Sequence, residues 1–175
     1  MGKNIVILTG SPRKDANSDR LAAAFAKGAE SAGHTTTLFR TAGMKIGGCL
    51  GCGYCFEHPG ECVQKDDMQE ILQALKDAEV LILASPVYFW GVTAQLKLAI
   101  DRTYALLRAK APIKRAALLL TCGSRTGATI QMFETMCEFS QWENAGVIVA
   151  TGLREPDAID SHESLKEAEA LGREI

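Results

Sequence analysis

The sequence lacks a large excess of either charge, and it lacks any long apolar run. It has 19 Lys and Arg residues against 21 Asp and Glu residues, a formal net charge of −2. We therefore expect no nucleic-acid partner and no membrane-surface partner. The first apolar run is shorter than the roughly 7–15 residues of a secretory signal, and no stretch approaches the ~20 apolar residues that span a bilayer. These absences predict a cytoplasmic protein.

Internal repeats, low-complexity tracts and flexible linkers are also lacking. The chain has 175 residues, of which 47% are hydrophobic, a size that suits one globular domain with one sizeable core. We predict that residues 1–175 form a single domain. Its one long irregular connection, residues 44–65, contains most of the cysteines.

What the sequence does contain is an alternation of apolar runs and segments with helical spacing. Near-continuous runs of Val, Ile and Leu favour strands that are covered on both faces. The predicted strands are Asn4–Thr9, Glu79–Ser85, Arg115–Cys122 and Ala145–Thr151, with a weaker one at Thr35–Arg40. The predicted helices are Ser18–Ala32, Asp66–Ala78, Thr93–Arg108, Ala128–Glu143 and Ser161–Glu174. This alternation predicts an α/β fold, a flavodoxin-like doubly wound parallel sheet of five strands in the order 2-1-3-4-5.

The loop after the first strand, TGSPRKDANSDRL at residues 9–21, is the first candidate binding segment. Ligands of open parallel sheets bind at the carboxyl ends of the strands. The loop matches neither the G-x-G-x-x-G fingerprint nor the P-loop. Its hydroxyls, its arginine and the following helix N-terminus predict a cradle for one terminal phosphate. The alternative is that Ser18 or Asn17 merely caps the helix.

The loop after the third strand, SPVYFWGVT at residues 85–93, places three adjacent aromatic residues beyond a buried strand. Such side chains can flank a flat ring, while backbone groups of residues 87–91 reach its polar edge. The alternative is that they fasten the next helix to the sheet. The loop TCGSRTGAT at residues 121–129 is expected to close the other side of the same pocket.

Four of the six cysteines lie in the segment CLGCGYCFEHPGEC, residues 49–62. In a reducing cytosol, clustered cysteines more often ligate metal or carry out redox chemistry than form disulfides. The C-x2-C-x2-C spacing, with a fourth cysteine after six residues, can direct four thiolates at a [4Fe–4S] cluster. Zinc and unmetallated redox thiols remain open alternatives. The four candidate metal ligands are Cys49, Cys52, Cys55 and Cys62.

Taken together, the first and second loops resemble the flavodoxin-fold NAD(P)H-dependent FMN reductases over roughly residues 3–150. Within that group, the cysteine segment is similar to the iron–sulfur flavoproteins. The resemblance implies FMN as the cofactor. It implies that the FMN phosphate is held by Ser11, Arg13, Asn17 and Ser18. It implies that the isoalloxazine ring is held by Pro86, Val87, Tyr88, Phe89 and Gly91.

The resemblance also implies an FMN-dependent oxidoreductase. The favoured activity is that of an NAD(P)H-dependent FMN or quinone reductase that passes electrons between FMN and a [4Fe–4S] cluster. The alternative is an electron-transfer protein served by ferredoxin, with no appreciable use of NAD(P)H. We expect no catalytic side chain, because the cofactors are the reactive groups. We expect a small-molecule electron donor and acceptor, and a homodimer or homotetramer.

Overall fold

The computed structural model describes residues 2–107, 109 and 111–175, and a parallel sheet of five strands lies at its centre. The strand order is β2-β1-β3-β4-β5, and every neighbouring pair is parallel. The strands are β1 (Asn4–Thr9), β2 (Thr35–Arg40), β3 (Val80–Pro86), β4 (Arg115–Thr121) and β5 (Glu143–Ala150). This arrangement confirms the predicted flavodoxin-like fold.

Two apolar layers cover the sheet, one on each face. Successive side chains of a strand point to opposite faces, so Val6 and Leu8 of β1 join one layer while Ile5 and Ile7 join the other. The near-continuous apolar runs of the central strands exist because both faces are buried. At the edge of the sheet, β2 is only partly covered, which explains its weaker apolar pattern.

Six α-helices connect or follow the strands of the described chain. They are α1 (Asn17–Ser31), α2 (Tyr54–Glu57), α3 (Met68–Lys76), α4 (Ala94–Arg102), α5 (Thr129–Ser140) and α6 (Ser164–Glu174). The first apolar layer receives side chains of α3, α4 and α5, and the second receives side chains of α1 and α6. Helices α1 and α6 approach closely through glycines, since a Cβ added at Gly28 would lie 2.0 Å from the carbonyl oxygen of Glu169.

The observed helices differ from the sequence prediction in several places. Helix α6 begins at Ser164 and not at Ser161, and Glu143, predicted at the end of a helix, begins β5. The segment Thr93–Arg108 is not one helix, because α4 ends at Arg102 and a 3-10 turn, Thr103–Leu106, follows it. The last residue of that prediction, Arg108, lies outside the described residues. The four-residue helix α2 was not predicted, since it lies inside the irregular cysteine segment. Because all five strands are parallel, their carboxyl ends and the loops that follow them lie at one edge of the sheet.

Candidate functional site

A polar cavity of about 320 Å³ lies at the carboxyl edge of the sheet, between the loops that follow β1, β3, β4 and β5. It brings together seven of the nine residues predicted to hold FMN. These seven are Ser11, Arg13, Asn17, Ser18, Pro86, Val87 and Tyr88. Its remaining walls are formed by Ala16, Thr121, Cys122, Gly123, Leu153, Arg154 and Pro156. We call this space the polar cavity.

A second cavity, of about 360 Å³, adjoins the first. It shares Val87, Cys122 and Gly123 with the polar cavity. Its other walls are Phe89, Trp90, Ser124 and Arg125. We call it the aromatic cavity. The two spaces form one continuous surface with a polar end and an aromatic end, and only Gly91 of the nine predicted residues lines neither.

The N-terminus of α1 faces the polar cavity without a side-chain cap. The N-cap residue is Ala16, in an extended conformation, and no side chain accepts a hydrogen bond there. The alternative that Ser18 or Asn17 caps this helix is therefore wrong. The first-turn N–H groups of a helix have no intrahelical acceptor and lie at the positive end of its dipole. This end of the cavity is suited to an anion.

The serines of the first loop organise its backbone and its junction with β4. The Ser11 hydroxyl donates to the carbonyl oxygen of Arg13 at 2.9 Å and accepts from the Arg13 N–H at 3.2 Å. This tight turn holds the backbone of Arg13 at the cavity, where its side chain is exposed. The hydroxyl oxygens of Ser18 and Thr121 lie 2.7 Å apart. The beginning of α1 is thereby tied to the end of β4.

Gly10 and Thr93 join the first loop to the second, and sequence reasoning did not single out either residue. The Thr93 hydroxyl donates to the carbonyl oxygen of Gly10 at 2.7 Å and accepts from the Leu96 N–H at 3.3 Å, which caps α4. A Cβ added at Gly10 would lie 2.5 Å from the Thr93 hydroxyl oxygen and 2.6 Å from Leu96 Cβ. Only glycine fits this approach. The glycine in TGSPR was the one sequence feature that could have indicated this close approach.

The aromatic residues of the second loop form a tight turn. The backbones of Tyr88 and Gly91 exchange two hydrogen bonds, at 2.9 and 3.1 Å, and thereby close the turn. Between them, Phe89 and Trp90 have φ values of +46° and +65°. This left-handed pair matches a type I′ hairpin turn, which normally contains Asn and Gly. Two aromatic residues in that region store backbone strain.

The turn presents its aromatic side chains to solvent. Phe89 is 94% exposed, Trp90 is 59% exposed and Tyr88 is 44% exposed. The alternative that these rings fasten the following helix to the sheet is therefore wrong. Exposed rings beside a cavity are available to flank a flat ligand.

The loop after β4, which the sequence predicted to close the other side of the pocket, contributes Cys122 and Gly123 to both cavities and also contacts this turn. A Cβ added at Gly127 would lie 2.6 Å from Trp90 Cβ, so the glycine lets the two loops touch. The Thr129 hydroxyl donates to the carbonyl oxygen of Trp90 at 3.3 Å. The N–H of Val87 donates to the carbonyl oxygen of Thr121 at 2.9 Å. The second and third loops thus share one framework.

The cysteine segment forms a separate pocket of about 100 Å³ beside the 3-10 turn that follows α4. All four predicted ligands line it, together with Arg102 and Tyr104. Cys49 and Cys52 are exposed. Burial and the proximity of the other three thiols raise the pKa of Cys55 above its ordinary value.

Arg102, the last residue of α4, fastens this segment and was missed by sequence reasoning. Its side chain is fully buried. Its guanidinium donates to Asp66 Oδ2 at 2.5 Å, to Cys62 Sγ at 3.3 Å, and to the carbonyl oxygens of Gly47 and Gln64, each at 3.3 Å. Burial alone would raise the pKa of Asp66, but the hydrogen bond from Arg102 and those from backbone N–H groups hold it below its ordinary value.

The structure places the four candidate metal ligands around one pocket. Among the described residues, no group of three His, Cys, Asp or Glu side chains is arranged to hold a metal ion. Four sulfurs bound to one zinc must each lie ≈2.3 Å from it. A four-iron cluster instead needs four thiolates around a larger common space, and four thiols line this pocket. The iron–sulfur assignment stays a prediction.

The two remaining cysteines differ in their surroundings. Cys122 is buried and forms part of both cavities. Burial raises the pKa of its thiol, although a backbone hydrogen bond from Ser124 opposes the shift. Cys137 lies on the buried face of α5, where burial and nearby Glu134 raise its pKa to about 11. In the part of the chain that the structure describes, no helix has both the length and the apolar character needed to cross a membrane.

Comparisons with known proteins show which family this chain is similar to. The family model described as NADPH-dependent FMN reductase matches residues 3–152. Two iron–sulfur flavoproteins of Archaeoglobus fulgidus are similar to the chain. One is 43% identical over 54% of this chain and 43% of its own length, and the other is 45% identical over 60% of this chain and 53% of its own length. The chain therefore matches about half the length of these curated relatives.

A solved structure gives the same picture of the fold. The NAD(P)H:quinone oxidoreductase of Methanothermobacter marburgensis superposes with a TM-score of 0.76, over 99% of this chain and 96% of that chain. The sequence identity is 18%, so this likeness concerns the fold alone.

Proposed function

The chain belongs to the NADPH-dependent FMN reductase family, and on that basis we propose that it is an FMN-dependent oxidoreductase. The observation that carries this proposal is the continuous surface at the carboxyl edge of the sheet. One end offers an uncapped helix N-terminus and Arg13, and the other end offers an exposed aromatic turn. A molecule with an anionic tail and a flat ring matches both ends.

The residues of the polar cavity fit the phosphate of FMN. The first-turn N–H groups of α1 can donate to phosphate oxygens, and Arg13 supplies a compensating charge. Four predicted residues would hold the ring, namely Pro86, Val87, Tyr88 and Phe89, while Gly91 closes the turn that carries them. Bound FMN would supply hydride acceptance and the release of electrons.

The side chains around the two cavities then bind and orient the cofactor, and none of them needs to transfer a proton. The raised pKa of Cys122 keeps its thiol neutral at physiological pH, so it adds no charge to the wall shared by the two cavities. The hydrogen-bonded turn of residues 88–91 would hold its aromatic side chains beside the bound ring. We propose no catalytic acid, base or nucleophile among the side chains.

For the cysteine segment we propose a [4Fe–4S] cluster, which would supply one-electron transfer. Support comes from the four thiols that line one pocket and from the iron–sulfur flavoprotein names of two relatives. Arg102 holds Cys62 by a hydrogen bond to its sulfur. Hydrogen bonds to ligand sulfurs are one of the features that tune cluster potentials.

The electron donor separates two versions of this function. We propose NAD(P)H as donor and a small-molecule acceptor such as free flavin or a quinone. The second version, a ferredoxin-linked carrier, is favoured by the exposure of Cys49 and Cys52, which makes the segment accessible to a protein partner. For either version we propose a homodimer or homotetramer and a single domain, both of which sedimentation and limited proteolysis can test.

The test is anaerobic purification followed by flavin, iron, sulfide and zinc assays and an absorbance spectrum. We expect about one FMN per chain, together with iron and sulfide. Rapid bleaching of the flavin by NADH or NADPH would support the reductase, and bleaching by reduced ferredoxin alone would support the carrier. A colourless chain that ignores added FMN would contradict the proposal. Zinc in place of iron would contradict the cluster alone.

A further inference from the structure

The loop after β5, residues 151–163, closes the polar cavity, and the resemblance to known reductases assigned it no role. Its first part is tied to the loop after β4. The N–H of Gly152 donates to the carbonyl oxygen of Gly123, and the N–H of Leu153 donates to that of Cys122, each at 3.1 Å. The backbone immediately before Arg154 is therefore fixed to a wall that both cavities share.

The backbone immediately after Arg154 is fixed by Asn17. The Asn17 amide nitrogen donates to the carbonyl oxygen of Glu155 at 2.7 Å, and its amide oxygen accepts from the N–H of Ile159 at 3.1 Å. Ile159 is fully buried in the apolar layer beneath α1. Both polar groups of the Asn17 side chain are thus engaged in holding this loop, although the residue also lines the cavity.

These anchors hold Arg154 at a cavity that a second arginine also lines. The side chains of Arg13 and Arg154 both line the polar cavity and both are exposed. Among the described residues, neither guanidinium has a carboxylate partner. Two guanidinium groups without carboxylate partners and a helix N-terminus place more positive charge around the polar cavity than a neutral ligand needs. A terminal phosphate carries ≈ −1.5 to −2 charges at neutral pH and accepts several charged hydrogen bonds.

We propose that Arg154 is a second phosphate-binding residue, which makes this site select FMN over unphosphorylated riboflavin. Asn17 is then the positioning residue that holds the Arg154 loop in place. The inference rests on the proposed function, because it names a further residue of the same flavin site. It concerns recognition of the phosphate and not the chemistry of the ring.

The experiment measures the dissociation constants of apoprotein for FMN and for riboflavin by quenching of flavin fluorescence. We expect Arg154→Ala to weaken FMN binding by about tenfold or more, as for a lost charged hydrogen bond, and to leave riboflavin binding within about twofold. Arg154→Lys should restore part of the preference, because lysine keeps the charge but not the planar fork. The loss should shrink at high ionic strength.

Lys14→Ala is the matched control. Lys14 is an exposed cation of the first loop that does not line the polar cavity, so its removal changes net charge equally. We expect the ratio of the two dissociation constants to stay as in the unaltered chain. An equal loss of FMN preference in Lys14→Ala and Arg154→Ala would mean that the effect is general electrostatics, and it would overturn the proposal.

Asn17→Ala tests the positioning role. It should reduce the preference for FMN, and the double variant Asn17→Ala/Arg154→Ala should be no less selective than Arg154→Ala alone, because both changes remove one interaction. Additive losses would overturn the positioning role and identify Asn17 as a direct ligand. If Arg154→Ala binds FMN with an unchanged ratio of FMN to riboflavin dissociation constants, the role of Arg154 is overturned and the proposed function is not. Failure of the unaltered chain to bind either flavin would overturn the proposed function as well.

Discussion

The two proposed cofactor regions of this molecule are built in different ways. The flavin cavities lie between four loops that begin at strand ends, and these loops are joined by backbone and hydroxyl hydrogen bonds such as Thr93 to Gly10 and Val87 to Thr121. The cysteine pocket lies in one long irregular segment, and two of its four thiols are exposed. The first region is shaped by the sheet, whereas the second depends on a few anchors and on whatever its thiols bind.

One ion pair, between the buried Arg102 and the half-buried Asp66, provides much of that anchoring. Asp66 accepts from the N–H of Gly47 at 2.8 Å, near the beginning of the segment, and from the N–H of Met68 at 3.2 Å, at its end. Arg102 binds the same carboxylate from α4. A single carboxylate thus closes the loop on itself and attaches it to the core. We therefore expect substitutions at this ion pair to affect iron binding and to leave FMN binding unchanged.

The largest effect is expected from Arg102→Ala. This change leaves the partly exposed Asp66 without its partner and frees the Cys62 sulfur, and the loss of such charged hydrogen bonds costs roughly 1.5–3 kcal/mol. We expect a lower midpoint of chemical denaturation and loss of bound iron, while the residual folded protein keeps its affinity for FMN. Denaturant titration, iron assay and flavin titration check the three expectations.

Two controls define that result. Lys97→Ala removes an exposed cation of the same helix, paired with Asp101, and should change stability by less than about 1 kcal/mol. Cys52→Ser removes one candidate ligand without touching the ion pair, so it should lose iron and keep the stability of the apoprotein. Parallel loss of iron and FMN in either cysteine-region variant would mean that the cysteine segment shapes the flavin cavities.

Gly10→Ala should have the next largest effect, on the other region. Its Cβ would lie 2.5 Å from the Thr93 hydroxyl and 2.6 Å from Leu96 Cβ, and overpacking of this kind costs roughly 1–3 kcal/mol. The clash separates the first and second loops, so FMN affinity should fall while iron is retained. Gly43→Ala is the control, because open space surrounds that position. Equal affinities in both variants would argue against the two loops acting as one unit.

Arg13→Ala should affect ligand binding without affecting the fold. The side chain is exposed at the polar cavity, so its loss should leave the denaturation midpoint unchanged. A lost charged hydrogen bond to phosphate weakens FMN by roughly 1.5–3 kcal/mol. Isothermal titration with FMN measures this change, and riboflavin serves as the ligand without the phosphate. Unchanged FMN affinity would remove Arg13 from the phosphate site.

The same contrast explains what could be predicted from sequence. Strand bounds were predicted to within two residues, because a strand that is buried on both faces is a near-continuous apolar run in the sequence. The positions of the flavin loops follow from strand ends in the same way. The roles of Arg102 and Asn17 could not be predicted, because each depends on contacts with residues at least 36 positions away in the chain. Local spacing carries no signal for such contacts.

The aromatic turn was predicted as a binding segment, but its backbone was not. Alternation of residue types does not distinguish a strained turn of Phe and Trp from an ordinary loop, since type I′ turns are recognised by Asn and Gly. The left-handed φ values arise because Tyr88 and Gly91 pair across the turn while Trp90 rests against Gly127. Strained residues of this kind cluster at binding sites, and we interpret this turn as part of one.

Phe89→Asn tests that interpretation and should have the smallest effect on stability. Phe89 has φ +46° and a side chain that is 94% exposed, and its ring packs only edge-on against Trp90, with the ring centroids 5.0 Å apart. Asparagine tolerates this conformation, and we expect the variant to be more stable by about 0.5 kcal/mol and to bind FMN more weakly. Leu50→Asn, at an exposed apolar residue of the cysteine segment, is the control and should change neither quantity. A variant at position 89 that is both less stable and unchanged in FMN affinity would mean that the ring of Phe89 supports the turn. The strain would then serve the fold and not the ligand.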